Sequence, residues 1–71
     1  AMDPYYVSKT AQFNGDHEVH KHGCQFMPEP HDRLYLGEFY SCHEAMKDAR
    51  RHFPQVNGCY FCVRECQRDE P

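Results

Sequence analysis

The sequence contains no apolar run that could cross a membrane, since a spanning helix needs about 20 mostly apolar residues. It also has no nucleophile motif, no glycine-rich phosphate loop and no pair of carboxylates placed for acid–base catalysis. Internal repeats, low-complexity tracts and a second domain are absent as well. These absences favour one small, non-enzymatic domain that does not associate with membranes.

Clustered positive charge is also lacking. The formal net charge is −3 at pH 7, and residues 1–32 have only Lys9 and Lys21 against five acidic residues. Acidic residues are interleaved with the arginines of the second half. Because a phosphate backbone is bound by clustered Lys and Arg, we expect a solvated surface of mixed charge and weak nucleic-acid binding at most. The expected partner is a protein, and the chain is expected to be a monomer.

Against these absences stand five cysteines and six histidines in 71 residues. A chain of this length buries too little surface to be stabilised comfortably by packing alone, and metals or disulfides usually supplement such a core. The odd cysteine count leaves at least one thiol unpaired in any disulfide framework. We therefore expect a bound metal and a reducing, cytoplasmic compartment, with export left open.

The domain boundaries follow from composition. Residues 1–4 are interpreted as a vector-derived scar, residues 5–66 as the single domain and residues 67–71 as a disordered tail.

Two strand regions are predicted in the first half of the chain. Asn14 and Gly15 form a strong turn signal, which predicts a β-hairpin over residues 5–21. Residues 33–36 (RLYL) predict a short third strand that Gly37 ends.

The second half predicts one main helix. Ser41 followed by Glu44 forms a capping box, and Pro54 stops the helix. Its apolar face is predicted to consist of Cys42, Ala45, Met46, Ala49 and Phe53. Residues 57–58 (Asn-Gly) predict a turn, and residues 63–68 a last helical turn. The predicted fold is α+β, with a three-stranded antiparallel sheet and one main helix.

The strongest chemical signal is the motif Cys59-x-x-Cys62, here called the knuckle. Such a turn presents two thiolates, which suit tetrahedral zinc, and Gly58 permits the tight backbone before it. His20 and Cys24 supply a second ligand pair. Three thiolates and one imidazole fill four positions and leave none for a substrate, so a structural Zn²⁺ site is predicted.

Alternative ligands remain at this stage. His22 shares a strand face with His20, whereas His17 points the other way. Cys66 could replace His20 or pair with another cysteine on oxidation. Cys42, on the apolar helix face, is predicted to be an inert buried thiol.

The motif order also resembles a known family, the Ada-type zinc-binding domains, which occur in the Ada DNA-repair protein and beside some bacterial nucleases. The resemblance covers roughly residues 5–62 and rests on the hairpin, His20-Lys21-His22-Gly23-Cys24, the 33–36 strand, Phe39-x-Ser41-x-x-Glu44-Ala45 and Cys59-x-x-Cys62. It implies a small zinc-stapled α+β fold. It also implies metal ligands at or near His20 and at Cys24, Cys59 and Cys62.

The first functional hypothesis is a structural zinc module that acts as a binding or accessory protein. The alternatives are a thiol redox protein using Cys59 and Cys62 with Cys66 as resolving thiol, an exported disulfide-stapled domain, and a nucleic-acid-binding zinc domain. Most aromatic residues are expected in the core, and an exposed aromatic cluster would instead indicate a partner-binding face.

Overall fold

Four strands and one α-helix form the regular structure of residues 1–68, the part of the chain that the computed structural model describes. In chain order they are strand β1 (Asp3–Ser8), strand β2 (His17–Lys21), strand β3 (Arg33–Phe39), helix α1 (Cys42–Ala49) and strand β4 (Val56–Gly58). Two short 3-10 helices, Pro30–Asp32 and Arg64–Cys66, complete the fold. The α+β class is confirmed. No helix within residues 1–68 combines the length and apolar character that spanning a membrane requires.

The sheet has the strand order β3-β1-β2-β4. β1 pairs antiparallel with β2 and with β3, whereas β4 runs parallel to β2. The predicted hairpin is confirmed, but the prediction of three antiparallel strands is wrong. The fourth strand includes Asn57 and Gly58, where the sequence predicts a turn. Both residues are buried, so pairing with β2 outweighs the local turn preference.

Strand β3 continues through Gly37 instead of ending there. Tyr5 lies opposite Gly37 and Tyr6 lies opposite Tyr35, so Leu36 is an extra residue in the ladder. This is a β-bulge. Gly37 adopts a φ of 122°, which glycine tolerates because it has no Cβ. Gly37, which was expected to end the strand, therefore lies at a bend within a longer strand.

The amino-terminal residues belong to the sheet. Asp3 and Pro4, which the sequence places in a scar, lie in β1 opposite Phe39 and Glu38 of β3. Pro4 also accepts a hydrogen bond at its carbonyl from the backbone N–H of His22 over 2.9 Å. This fold therefore begins before residue 5.

Helix α1 begins as predicted. The capping box at Ser41 is present, with Glu44 Oε1 accepting from the backbone N–H of Ser41 over 3.4 Å. The helix buries one face on the sheet, formed by Cys42, Ala45, Met46 and Ala49. It ends at Ala49, and the chain turns before Pro54. The helical period thus predicted four of the five residues of the buried face, whereas Phe53 lies beyond the end of the helix and is partly buried.

The core is more aliphatic than expected. Its fully buried members include Val7, Val19, Ala45 and Ala49, and Tyr5 is the aromatic residue among the buried side chains of the described chain. Phe39 and Phe53 pack against the core while partly buried. Several other aromatic residues are exposed, namely Phe13, Phe26, Tyr35, Tyr40, Tyr60 and Phe61. The expectation of a largely aromatic core is wrong.

A disulfide joins Cys42, at the first position of α1, to Cys66 in the second 3-10 helix. The prediction that Cys42 is a free, inert thiol is therefore wrong, whereas pairing of Cys66 with another cysteine is confirmed. Cys42 lies on the buried helix face, and the last turn of the chain packs there. The bridge fastens that turn to the helix.

Arg68 is held by polar contacts with the loop before β2 and with β4. Arg68 donates from Nη2 to Oδ2 of Asp16 over 2.7 Å, and its backbone N–H donates to Oδ1 of Asn57 over 2.8 Å. The sequence predicts a disordered tail over 67–71. Residues 69–71 lie outside the described residues, and Arg68 is held by these contacts.

Candidate metal centre

The ends of two neighbouring strands bring the candidate ligands together. His20 lies in β2, and Cys24 follows in a turn closed by its own N–H donating to the Lys21 carbonyl over 3.1 Å. Cys59 follows β4 directly. Because β2 and β4 are parallel, both strands end at the same edge of the sheet. The loops that leave them therefore meet at this edge.

The ligand atoms of His20, Cys24, Cys59 and Cys62 all lie within 4.8 Å of one another. The Sγ atoms of Cys24 and Cys59 are 3.9 Å apart, and Cys62 Sγ lies 3.9 Å from His20 Nδ1. Tetrahedral zinc with bonds of about 2.3 Å to sulfur separates two sulfur ligands by about 3.8 Å. The four residues predicted from sequence form one group that could hold a metal ion.

Backbone N–H groups point at the sulfurs. The N–H of Phe26 donates to Cys24 Sγ over 3.4 Å, and the N–H of Lys21 donates to Cys62 Sγ over 3.3 Å. The N–H groups of Cys62 and Phe61 hydrogen-bond the Cys59 sulfur. Such donors stabilise the thiolate form of cysteine, which is the form that binds metal.

Gly58 is required by close packing between β4 and the end of the chain. A Cβ built at this position would lie 2.6 Å from the Val63 carbonyl oxygen and 2.9 Å from the Cys66 carbonyl carbon. Both are backbone atoms and cannot rotate away. The sequence predicted a glycine requirement here, and its physical cause is the approach of the backbone after the knuckle.

Burial favours the neutral forms of the candidate ligands. It lowers the pKa of His20, so the imidazole is neutral at pH 7 and can donate a nitrogen lone pair. Burial raises the pKa of Cys59 against the effect of the backbone N–H groups of Cys62 and Phe61. Burial, followed by the Cys24 side chain, raises the pKa of Cys62. A divalent cation placed among these thiols would favour their deprotonated form.

Glu18 supports His20 from the opposite side of the ring. Its Oε1 atom lies 3.4 Å from His20 Nε2, while Nδ1 faces Cys62. A carboxylate beside the outer nitrogen orients a ligand histidine and fixes its tautomer. The sequence motifs did not indicate Glu18. The available signal was its spacing, because residues two apart on a strand share a face.

The alternative ligands lie elsewhere. His17 stacks on Phe53 with ring centroids 3.9 Å apart, and its Nδ1 pairs with the Ser8 carbonyl over 2.9 Å. His22 is exposed and is not a member of the four-residue group. Cys66 is held in the disulfide. Among the histidines in this comparison, His20 is the one that lies in the four-residue group.

The loops that contribute the cysteines also carry exposed aromatic rings. Phe26 stacks on Phe61 with centroids 4.3 Å apart, and Tyr60 meets Phe61 edge-on at 5.2 Å. The Arg64 guanidinium lies 4.0 Å above the Tyr60 ring. Phe26, Tyr60 and Phe61 are 49, 46 and 63 % exposed. We call the side chains of Phe26, Tyr60, Phe61 and Arg64 the aromatic loop surface.

Comparisons of the chain with protein-family models, curated proteins and solved structures found no match. The similarity to Ada-type zinc-binding domains therefore stays an interpretation of short motifs. The chemistry open to this chain follows from its own residues, of which the three-thiol, one-imidazole group is the most specific.

Proposed function

We propose that this chain is a non-enzymatic structural zinc module that acts as a binding or accessory protein. The observation that carries the proposal is the convergence of His20, Cys24, Cys59 and Cys62 within 4.8 Å. A set of three sulfurs and one imidazole nitrogen matches the ligand preference of zinc. Four protein ligands complete a tetrahedron, so the metal has no open position for a substrate, and its role is to hold the two loops together.

The aromatic loop surface supports the binding role. Its rings lie on the same two loops as the cysteines, so a metal that fixes the loops also fixes the rings. Aromatic residues and arginine dominate the energetics of protein interfaces. Residues 22–28 and 59–63, the loops that follow β2 and β4, contain no acidic residue, and Lys21 and Arg64 adjoin them. The proposed partner is a protein segment that presents apolar side chains beside carboxylates.

A dithiol redox role for Cys59 and Cys62 has less support. A reactive cysteine needs a lowered pKa and an accessible sulfur. Cys59 is buried and burial raises its pKa. Cys62 shares the raised pKa. Neither sulfur therefore has the lowered pKa that an attacking thiolate needs.

Elemental analysis of the untagged protein tests the proposal. We expect one zinc per chain after gel filtration at neutral pH, and less than a tenth of that in Cys24→Ser. Cys42→Ser is the matched control, since it removes a cysteine outside the four-residue group and should keep one zinc. Metal-free wild-type protein that remains folded would contradict the proposal.

A further inference from the structure

A second group of side chains that could hold a metal lies where the start of α1 meets the Arg64–Cys66 3-10 helix. The Sγ atoms of Cys42 and Cys66 and a ring nitrogen of His43 all lie within 4.8 Å of one another. The two sulfurs are joined in the disulfide, and His43 is exposed beside them. We propose that reduction of this disulfide creates a second metal site, formed by Cys42, His43 and Cys66, which takes Zn²⁺ or a similar thiophilic divalent cation.

The disulfide and the metal-bound form cannot exist together, because they need different distances between the two sulfur atoms. A disulfide holds its sulfurs about 2.0 Å apart, whereas two thiolates on one zinc lie about 3.8 Å apart. A small-molecule dithiol can carry out the conversion. It gives two electrons and two protons to the Cys42–Cys66 bond and becomes a disulfide itself. Zn²⁺ then binds both sulfurs, which releases the two thiol protons to water, and accepts a lone pair from a His43 ring nitrogen.

The surroundings favour thiolates at this place. Cys42 occupies the first position of α1 after the cap Ser41, where the helix dipole stabilises negative charge. Two guanidinium groups, of Arg50 and Arg68, and one carboxylate, of Glu65, line a cavity of about 400 Å³ that Cys66 and His43 also line. Two thiolates neutralise a divalent cation, so the guanidinium groups do not repel the loaded site.

The same cavity leaves room for a fourth ligand. Three protein ligands are the number found in zinc sites that keep one position for water. Gln67 also lines the cavity, and its Oε1 atom is buried without a hydrogen-bond partner among the described residues. A metal-bound water would supply the hydrogen that this acceptor lacks. This site therefore differs from the closed four-ligand group, and it does not depend on the proposed function.

The test measures the zinc gained on reduction. The full chain is treated with dithiothreitol, freed of reductant without oxygen, loaded with excess Zn²⁺ and gel-filtered, in parallel with untreated protein. We expect the reduced protein to hold one more equivalent than the oxidised protein. Because the measurement is the difference in bound zinc between reduced and oxidised protein, its interpretation is the same whether the four-ligand group holds one metal or none.

Variants identify the ligands. His43→Ala should weaken the additional zinc at least tenfold and leave the dispersed amide spectrum intact, whereas His52→Ala, beyond the other end of α1, should keep it. The double variant Cys42→Ala/Cys66→Ala should gain nothing on reduction. With Co²⁺ as probe, reduction should add sulfur-to-cobalt charge-transfer absorption. The proposal is overturned if reduced wild-type protein gains no metal, or if His43→Ala binds the additional zinc as tightly as wild type.

Discussion

Asp16 and Arg68, 52 residues apart in the chain, form an ion pair in which Nη2 of Arg68 lies 2.7 Å from Oδ2 of Asp16. The carboxylate is fully buried, whereas the arginine is half exposed. Gln55 donates to its other oxygen over 2.7 Å, and Asn14 donates to Oδ2 over 3.0 Å. This buried charge therefore joins the hairpin loop to the segment before β4 and to the end of the chain.

Replacing this carboxylate should destabilise the fold. In Asp16→Asn the donors of Arg68 and Gln55 lose a charged acceptor, and loss of hydrogen bonds to a buried charged group of this kind costs about 2 kcal/mol of unfolding free energy. Denaturant unfolding of the metal-loaded protein measures the change. Asp48→Asn is the control, because Asp48 pairs with the largely exposed Arg51, and the loss there should stay below about 1 kcal/mol.

The difference in unfolding free energy between wild type and Asp16→Asn should depend on pH in a direction set by the pKa of Asp16. Burial opposes ionisation of Asp16, but the hydrogen bonds from Gln55 and Arg68 outweigh it and lower the pKa. The stabilisation is complete above the unfolded pKa of about 3.9 and is lost as the pH falls through the lower folded pKa. The difference between wild type and Asp16→Asn should thus be constant from pH 7 to pH 5. A difference that shrinks across that range would contradict the assignment.

Removing the carboxylate beside His20, a candidate metal ligand, should weaken metal binding without unfolding the protein. Glu18 Oε1 lies 3.4 Å from His20 Nε2, and loss of such a partner typically lowers metal affinity 10- to 100-fold, roughly. Competition with a chromophoric chelator measures the affinity of Glu18→Gln. Glu29→Gln, an exposed position, is the control and should bind as wild type does. Equal affinities of the two variants would show that Glu18 does not contribute to metal binding.

The disulfide fixes the number of free thiols. Protein purified without reductant, then denatured with chelator, should show three reactive thiols, from Cys24, Cys59 and Cys62. After reduction the number should rise to five, the full cysteine content of the chain. Closing a loop of this size stabilises by about 3 kcal/mol, so reduction should also lower the melting temperature. Five thiols before reduction would show that the bridge is absent in solution.

The sequence predicted the residues of the candidate metal group more accurately than the pairing of the strands. Cys59-x-x-Cys62 and His20-x-x-x-Cys24 are local patterns whose spacing limits the possible geometry, and the structure brings all four residues together. Strand β4 could not be predicted in this way. Its pairing with β2 joins residues far apart in the chain, and Asn57-Gly58 has a local preference for a turn.

The disulfide was also hard to predict, because it too joins residues that are far apart in the chain. Cys42 fits the apolar period of α1, so the pattern alone cannot distinguish a buried thiol from a bridged one. Its partner Cys66 lies 24 residues away. The odd cysteine count favoured a metal over a disulfide framework, yet the described chain contains both a bridge and a candidate metal group.

Adding a methyl group at Gly58 should damage the candidate metal centre. The new Cβ would lie 2.6 Å from the Val63 carbonyl oxygen, so the knuckle must move away from β4. We expect Gly58→Ala to lose about 2 kcal/mol of stability and to bind zinc more weakly. Gly23→Ala is a useful contrast, because its Cβ meets no atom within 4 Å and its cost arises only from a φ of +92°. Differential scanning calorimetry should rank Gly58→Ala as the less stable.

Substitution of the ligand cysteines provides the most direct test of what holds the domain together. The apolar core of the described chain consists mainly of valines, alanines and one buried tyrosine, and a core in so short a chain leaves little net stability. Structural zinc can couple on the order of 10–16 kcal/mol of apparent binding free energy to folding. Cys59→Ser, Cys62→Ser and Cys24→Ser should therefore each abolish the dispersed amide signals of the folded protein.

Two variants serve as controls for these substitutions. Cys42→Ala removes the bridge to Cys66 but no member of the four-residue group, so it should stay folded with zinc and melt at a lower temperature. His17→Ala removes only a ring stacked on Phe53 and should also stay folded. Acid should act as the ligand variants do, because protons compete with the metal for thiolate and imidazole. If Cys59→Ser and Cys24→Ser keep dispersed spectra in the presence of chelator, the sheet, the helix and the Cys42–Cys66 bridge suffice, and the metal is not what stabilises this fold.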